Sequence, residues 1–178
     1  GAPGTIYIEA NASDPDGRIA KVEFFAGTRL LSTLVRPPFN FNWTGVPIGT
    51  NELTALAYDD SGLKTASSPI TVTVNPPARF RFSKSSDAAG EGDHSVSLTV
   101  VNEGIQGGTI NYETVAVSAV GGDFGNADFA NTNGTLVFTN GQKSGIIVVP
   151  IHDDYLPEET ERFEVRLSKP SPGATLAE

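Results

Sequence analysis

The stretch HDDYLPEETERFE, residues 152 to 164, carries six carboxylates, on Asp153, Asp154, Glu158, Glu159, Glu161 and Glu164, against the single strong base Arg162. Two like charges about 4 Å apart repel by roughly 4 kcal/mol at an effective dielectric of 20. Carboxylates that converge must therefore be spread through water, protonated or bridged by a cation. Calcium is the cation such a stretch would suit, because it takes about six to eight oxygen ligands and tolerates irregular geometry. Asp153 and Asp154 follow an apolar run that can anchor their backbone, Pro157 stiffens the turn before Glu158, and Glu161 precedes the next alternating run. Acids from both sides of one turn can thus converge. By itself the stretch is equally readable as a solvated acidic hairpin. Glu159 is a weaker candidate, and Glu164 alternates with Phe163 and Val165 and should face water.

Other residues invite chemistry less strongly. The run SDPDG, with Asp14, Asp16 and Gly17, superficially matches the start of a calcium-binding EF-hand loop but lacks the remaining ligand spacing and the terminal Glu, so it reads as a turn. Asp59-Asp60-Ser61-Gly62 reads as a hairpin closure. Asp93 beside Gly92 either assists a site or makes a turn, and Asp123 in GGDF is a loop residue. Trp43 in FNFNWTGV would stack on a sugar if exposed, but Phe39, Phe41 and Trp43 alternate on one strand face, which favours core packing. The two histidines, His94 and His152, stand beside no nucleophile motif, and no GxSxG, HExxH or phosphate-cradling loop occurs. A non-catalytic protein is expected.

The elements that must position these acids have a period of two. Ile6 and Ile8 alternate with Tyr7 and Glu9, Val22 and Phe24 with Lys21 and Glu23, and Ile70, Val72 and Val74 with Thr71 and Thr73. Further along, Val96, Leu98 and Val100, then Leu136 and Phe138, then Phe163, Val165 and Leu167 repeat the pattern. The run from Gly145 to Ile151 is apolar at successive positions, which predicts a central strand covered on both faces. It leads directly into Asp153. Turn residues separate the runs at short intervals, and no helical stripe with caps occurs. The fold class expected is all-β, with two tandem antiparallel immunoglobulin-like β-sandwiches. The boundary falls in VTVNPPARF, where Pro76 and Pro77 cannot donate to a sheet ladder. The expected domains are residues 1–75 and 78–178, the second lacking its last strand, and the short proline joint between them suits a spacer.

A net charge of −9 over 178 residues disfavours nucleic acid or an anionic membrane as partner, since either needs a basic stripe. The acidity is uneven: residues 1–75 hold seven acids and five bases, and residues 76–178 hold fourteen and seven. With no cysteine, disulfides and thiolate metal sites are excluded. No apolar run has the length of a membrane span, and GAPGTIYIEA lacks the regions of a signal peptide, as expected of a mature or excised fragment.

Residues 2 to 75, through APGTIYIEANASDPDG, IAKVEFFAGTRLL, PFNFNWTGVPIGTNELTALAYDDSG and SSPITVTVN, resemble the bacterial immunoglobulin-like modules of secreted multidomain enzymes and surface proteins. Residues 78 to 178, through EGDHSVSLTV, NADFANTNGTLVFTNGQKSGIIVVPIHDDYLPEETERFEVRLS and PSPGATL, resemble the Calx-beta domain, the calcium-binding sandwich of sodium/calcium exchangers that recurs in bacterial extracellular proteins. That resemblance implies calcium ligands near one end of the second sandwich at Glu91, Asp128, Asp153, Asp154, Glu158 and Glu161, and one or two ions. It also implies an extracellular, bacterial parent whose neighbouring domains, with a polysaccharide or cell-surface ligand, are the further partners. The expected work is spacing or adhesion. The alternative is a carbohydrate-binding accessory module of a polysaccharide-degrading enzyme, which would use exposed aromatics such as Trp43 or Tyr155.

Overall fold

The computed structural model describes residues 4–122, 126–153 and 159–177. Apart from one 3-10 turn, Glu91–Asp93, the regular elements among them are strands. The chain divides into two compact units, the first ending at Asn75 and the second beginning at Pro76.

The first unit contains β1 (Ile6–Ala10), β2 (Ile19–Ala26), β3 (Arg29–Leu34), β4 (Phe39–Trp43), β5 (Gly49–Asp59), β6 (Lys64–Ala66) and β7 (Ile70–Val74). β1 pairs only with β4, and β2 lies between β3 and β5, all antiparallel. β5 is long enough to pair twice: its Leu56–Tyr58 segment takes β6 and its Gly49–Leu53 segment takes β7. Between those partners Ser67 supplies the missing hydrogen bonds. Its N–H donates to the Ala55 carbonyl at 2.8 Å, and its Oγ accepts from the Ala55 N–H at 3.0 Å.

Alternation along these strands builds two small apolar clusters. Val22, Phe24 and Phe39 form one, and Trp43, Val46 and Leu53 the other. Phe41 packs against both and meets Phe24 edge to face, with ring centroids 5.2 Å apart. Trp43, 5% exposed, is therefore a core residue, which removes it as a sugar platform. Ile70 departs from the expected inward pattern: it is 58% exposed, while Val72 and Val74 in the same strand are half-buried. A cleft of about 650 Å³ bordered by Ile8, Ala10, Val22, Phe24, Ala55 and Ile70 opens into this core.

The two aspartate runs of this unit are turns. Asp59 Oδ1 accepts from the Ser61 N–H (2.9 Å), the Ser61 hydroxyl (2.8 Å) and the Leu63 N–H (2.8 Å), closing the β5–β6 hairpin. Asp14 Oδ1 accepts more loosely from the Asp16 N–H, at 3.4 Å.

The second unit contains β8 (Arg79–Phe82), β9 (Ser95–Asn102), β10 (Gly108–Ala116), β11 (Asn133–Phe138), β12 (Ser144–Pro150), β13 (Phe163–Ser168) and β14 (Thr175–Leu176). One sheet has the order β12-β9-β8-β14 and the other β11-β10-β13. The pairs are antiparallel except β14 with β8, which are parallel. Phe80, Val100, Ile147 and Val149 from one sheet and Ile110 and Phe138 from the other meet in one continuous core.

β12 corrects an expectation. Rather than a central strand covered on both faces, it is, among the described residues, an edge strand paired only with β9. Ile147 and Val149 are 1% and 0% exposed, whereas Ile146 and Val148 are 61% and 51% exposed. β-branched side chains favour strand backbone wherever they point, so a Val/Ile run reports the strand without reporting how many of its faces are buried.

Candidate metal centre

Backbone hydrogen bonds gather the acid-bearing segments at one end of the second unit. Glu91 and Asp93 lie in the 3-10 turn before β9, where Gly90 donates to Asp93 Oδ2 at 2.8 Å. Asp93 is thereby a turn residue. His94 follows in the left-handed region, with φ 58°, a conformation that His tolerates better than most side chains, and turns the chain into β9. The His94 carbonyl accepts from the Ile151 N–H at 3.1 Å, joining this turn to the end of β12. One residue on, the His152 N–H donates to the Asp128 carbonyl at 2.9 Å. The His152 ring Nε2 donates to the Gly122 carbonyl at 3.2 Å, a structural tie rather than a base aimed at a substrate.

Asp128 is itself held in place. Its N–H donates to the Val120 carbonyl at 2.8 Å, and its Oδ2 accepts from the Val120 N–H at 2.5 Å. A carboxylate has lone pairs on both oxygens, so a further ligand can share this group. Beside it, fully buried Phe129 stacks on Phe163 with ring centroids 4.3 Å apart, pinning the Asp128 segment to the start of β13. Just before β13, the Arg162 carbonyl accepts from the N–H groups of Val117, Ser118 and Ala119, and the Arg162 N–H donates to Ser118 Oγ at 2.9 Å. This fixes the segment carrying Glu161.

Of the six expected ligands, Glu91, Asp128 and Asp153 are half-buried and Glu161 is exposed; Asp154 and Glu158 lie outside the described residues, as do Tyr155 and Asp123. Among the described residues no three acids or histidines come together as a group able to hold a metal. The donor chemistry nevertheless fits calcium, being all oxygen on segments anchored by strands. Glu159 and Glu164 are exposed, and Glu164 pairs with Arg166 at 2.8 Å. The framing residues Ser118 and Val120 drew no notice in the sequence, since loop backbone carries no periodic signal, and His152 was noted there without a structural role.

Comparison with known proteins agrees with this placement of elements. The family model of the Calx-beta domain matches residues 74–177. The chain belongs to the Calx-beta family. Ahead of that domain, the model of a bacterial Ig domain matches residues 1–55. Adhesion G-protein coupled receptor V1 of Danio rerio is 33% identical over 95 residues, which are 52% of this chain and 2% of the receptor. The chain thus spans only a small fraction of that relative. A crystal structure of the apo form of the Calx CBD1 domain is 28% identical with a TM-score of 0.51, covering 57% of this chain and 88% of that one. The calcium binding domain CBD12 of CALX1.1 is 29% identical with a TM-score of 0.50, covering 56% of this chain and 41% of that one. No helix among the described residues is long and apolar enough to cross a membrane.

Proposed function

We propose that the chain is a non-catalytic pair of immunoglobulin-like sandwiches, residues 1–75 and the Calx-beta domain 78–178, that binds calcium and serves as a spacer or adhesion element of a larger secreted or cell-surface protein. The ligands are Glu91, Asp128, Asp153, Asp154, Glu158 and Glu161, with Asp154 and Glu158 completing a set that the other four do not close by themselves. The observation that carries this reading is the pair of backbone hydrogen bonds from Ile151 to His94 and from His152 to Asp128, which draws three acid-bearing segments to one end. Calcium there supplies positive charge against converging carboxylates and ties together segments otherwise joined by a few backbone bonds. The likeness to a stretch of an adhesion receptor supports an extracellular place of work.

Titration calorimetry and thermal melting with and without a chelator test the proposal. Heat of calcium binding and a higher melting temperature with calcium are expected. No calcium heat together with an unchanged melting temperature removes it.

A further inference from the structure

Asn75-Pro76-Pro77 has the composition of a free linker, yet both prolines are built into the second unit. The Pro76 carbonyl accepts from the N–H groups of Ile105 at 3.2 Å and Gln106 at 3.1 Å. Gly104 presses so closely on Pro77 that a Cβ there would lie 1.9 Å from the Pro77 carbonyl oxygen and 2.9 Å from the Ala78 Cα. No side chain fits, so glycine is required by contact rather than by its own dihedral freedom.

The loop that makes these contacts is held from behind by Asn102, a fully buried polar residue. Its Oδ1 accepts from the N–H groups of Gly104 (3.0 Å) and Arg79 (3.2 Å), and its Nδ2 donates to the Gln106 carbonyl at 3.0 Å. Lys143 Nζ donates to the Gly104 carbonyl at 2.6 Å from the far side. A buried amide satisfied at both ends specifies one loop conformation, because any other leaves its polar atoms without partners.

This loop stands at the end of β9 opposite the candidate metal centre. β9 begins after His94 and ends at Asn102, so at about 3.3 Å per residue the two ends are roughly 23 Å apart.

We infer that the Asn102–Gln106 loop is a permanent clamp on Pro76-Pro77 that fixes the direction in which the chain leaves the second unit. The chain is then held from Pro76 onward, and calcium does not govern that hold. Only the calcium clause rests on the function proposed above; the clamp stands on its own contacts.

Amide hydrogen exchange and spin-label distances on the full chain test this. The chain has no cysteine, so Val35→Cys and Val137→Cys, both at exposed positions, give one label in each unit. In the otherwise unaltered protein the Ile105 and Gln106 amides should exchange slowly. With Gly104→Ala they should exchange roughly tenfold faster, the factor that a hydrogen bond's net worth corresponds to, and the distance distribution should broaden. Rapid exchange at both amides in the unaltered protein overturns the clamp, even where the Gly104 variant fails to fold. An unchanged distribution in a folded Gly104→Ala protein overturns it as well. Chelating calcium should leave the width unchanged. Broadening on chelation, in a protein that calorimetry shows to bind calcium, overturns the calcium clause. Absence of calcium binding sinks the proposed function instead and leaves the exchange result to decide the clamp.

Discussion

Among the described residues the two units use the same number of strands, seven each, and bury them differently. In the second, Phe80, Val100, Ile110, Phe129, Phe138, Ile147 and Val149 form one core joined across both sheets. In the first, the buried residues split into a cluster around Phe24 and one around Trp43, bridged by Phe41, and a cleft reaches the first of them. The difference follows from the sheets. Two strands, β1 and β4, cover a broader sheet in the first unit, whereas three face four in the second. A core with complete walls relaxes less when an atom is removed, so the second unit should be the less forgiving of the two.

Phe80→Ala gives the largest expected effect. It should destabilise the second unit by about 3–5 kcal/mol and leave the first unit's transition in place in scanning calorimetry. Phe24→Ala should fall at or below the lower end of that range, because its surroundings border an open cleft. Equal losses at the two positions would break the comparison.

Next come the two faces of β12. Ile147→Ala should cost about 2–5 kcal/mol, and Ile146→Ala, one residue away on the exposed face, should stay within about 0.5 kcal/mol by denaturant titration. Comparable costs would mean that something covers the outer face.

Calcium should act on one unit alone. At a hundredfold excess over its dissociation constant it should add about 2.7 kcal/mol to the second unit, visible as a shift of that transition only. A shift confined to the first unit would relocate binding to its aspartate turns.

The smallest effects concern pH in the first unit, where two aspartates should act with opposite sign. The Ser61 hydroxyl, with the Leu63 and Ser61 amides, holds the Asp59 carboxyl below its usual value. Its stabilisation is therefore present above the unfolded value near 4 and is lost as pH falls through the lower folded value. Asp14 is raised, first by a hydrogen bond between its side chain and that of Asp16, then by desolvation and the Asp16 and Asp59 charges, against the lowering effect of the Asp16 backbone N–H. Its contribution is full below the unfolded value and is lost as pH rises through the folded one. Asp59→Asn should lower the first unit's melting temperature at pH 7, and Asp14→Asn should raise it slightly. The same sign for both would show that these turns do not titrate as their contacts imply.

Much of the fold was legible because strand alternation is local. Val22 and Phe24, Phe39 and Trp43, and Val100 and Phe138 were placed inward by period alone and are buried. Alternation failed at Ile70, and the unbroken apolar run misled at Ile146 and Val148, where the neighbouring sheet that would cover the residue is a property of distant chain. For the candidate site, the acids between Asp153 and Glu164 announced themselves by density. The approach of the chain before Asp153 to the Asp128 and Glu91 segments runs through backbone bonds at Ile151 and His152 that no residue type reveals.

The all-β character, the reversal at Asp59–Gly62 and the excess of carboxylates in the second half follow from residue order alone, because each depends on the chemistry of adjacent residues. That β12 lies at an edge, that Val46 and Leu53 are the residues Trp43 packs with, and that Pro76 and Pro77 are held by Gly104 and Asn102 appear only in the folded chain. Those outcomes depend on which strands meet, and the meeting is set by burying apolar area and satisfying backbone polar groups over the whole unit at once.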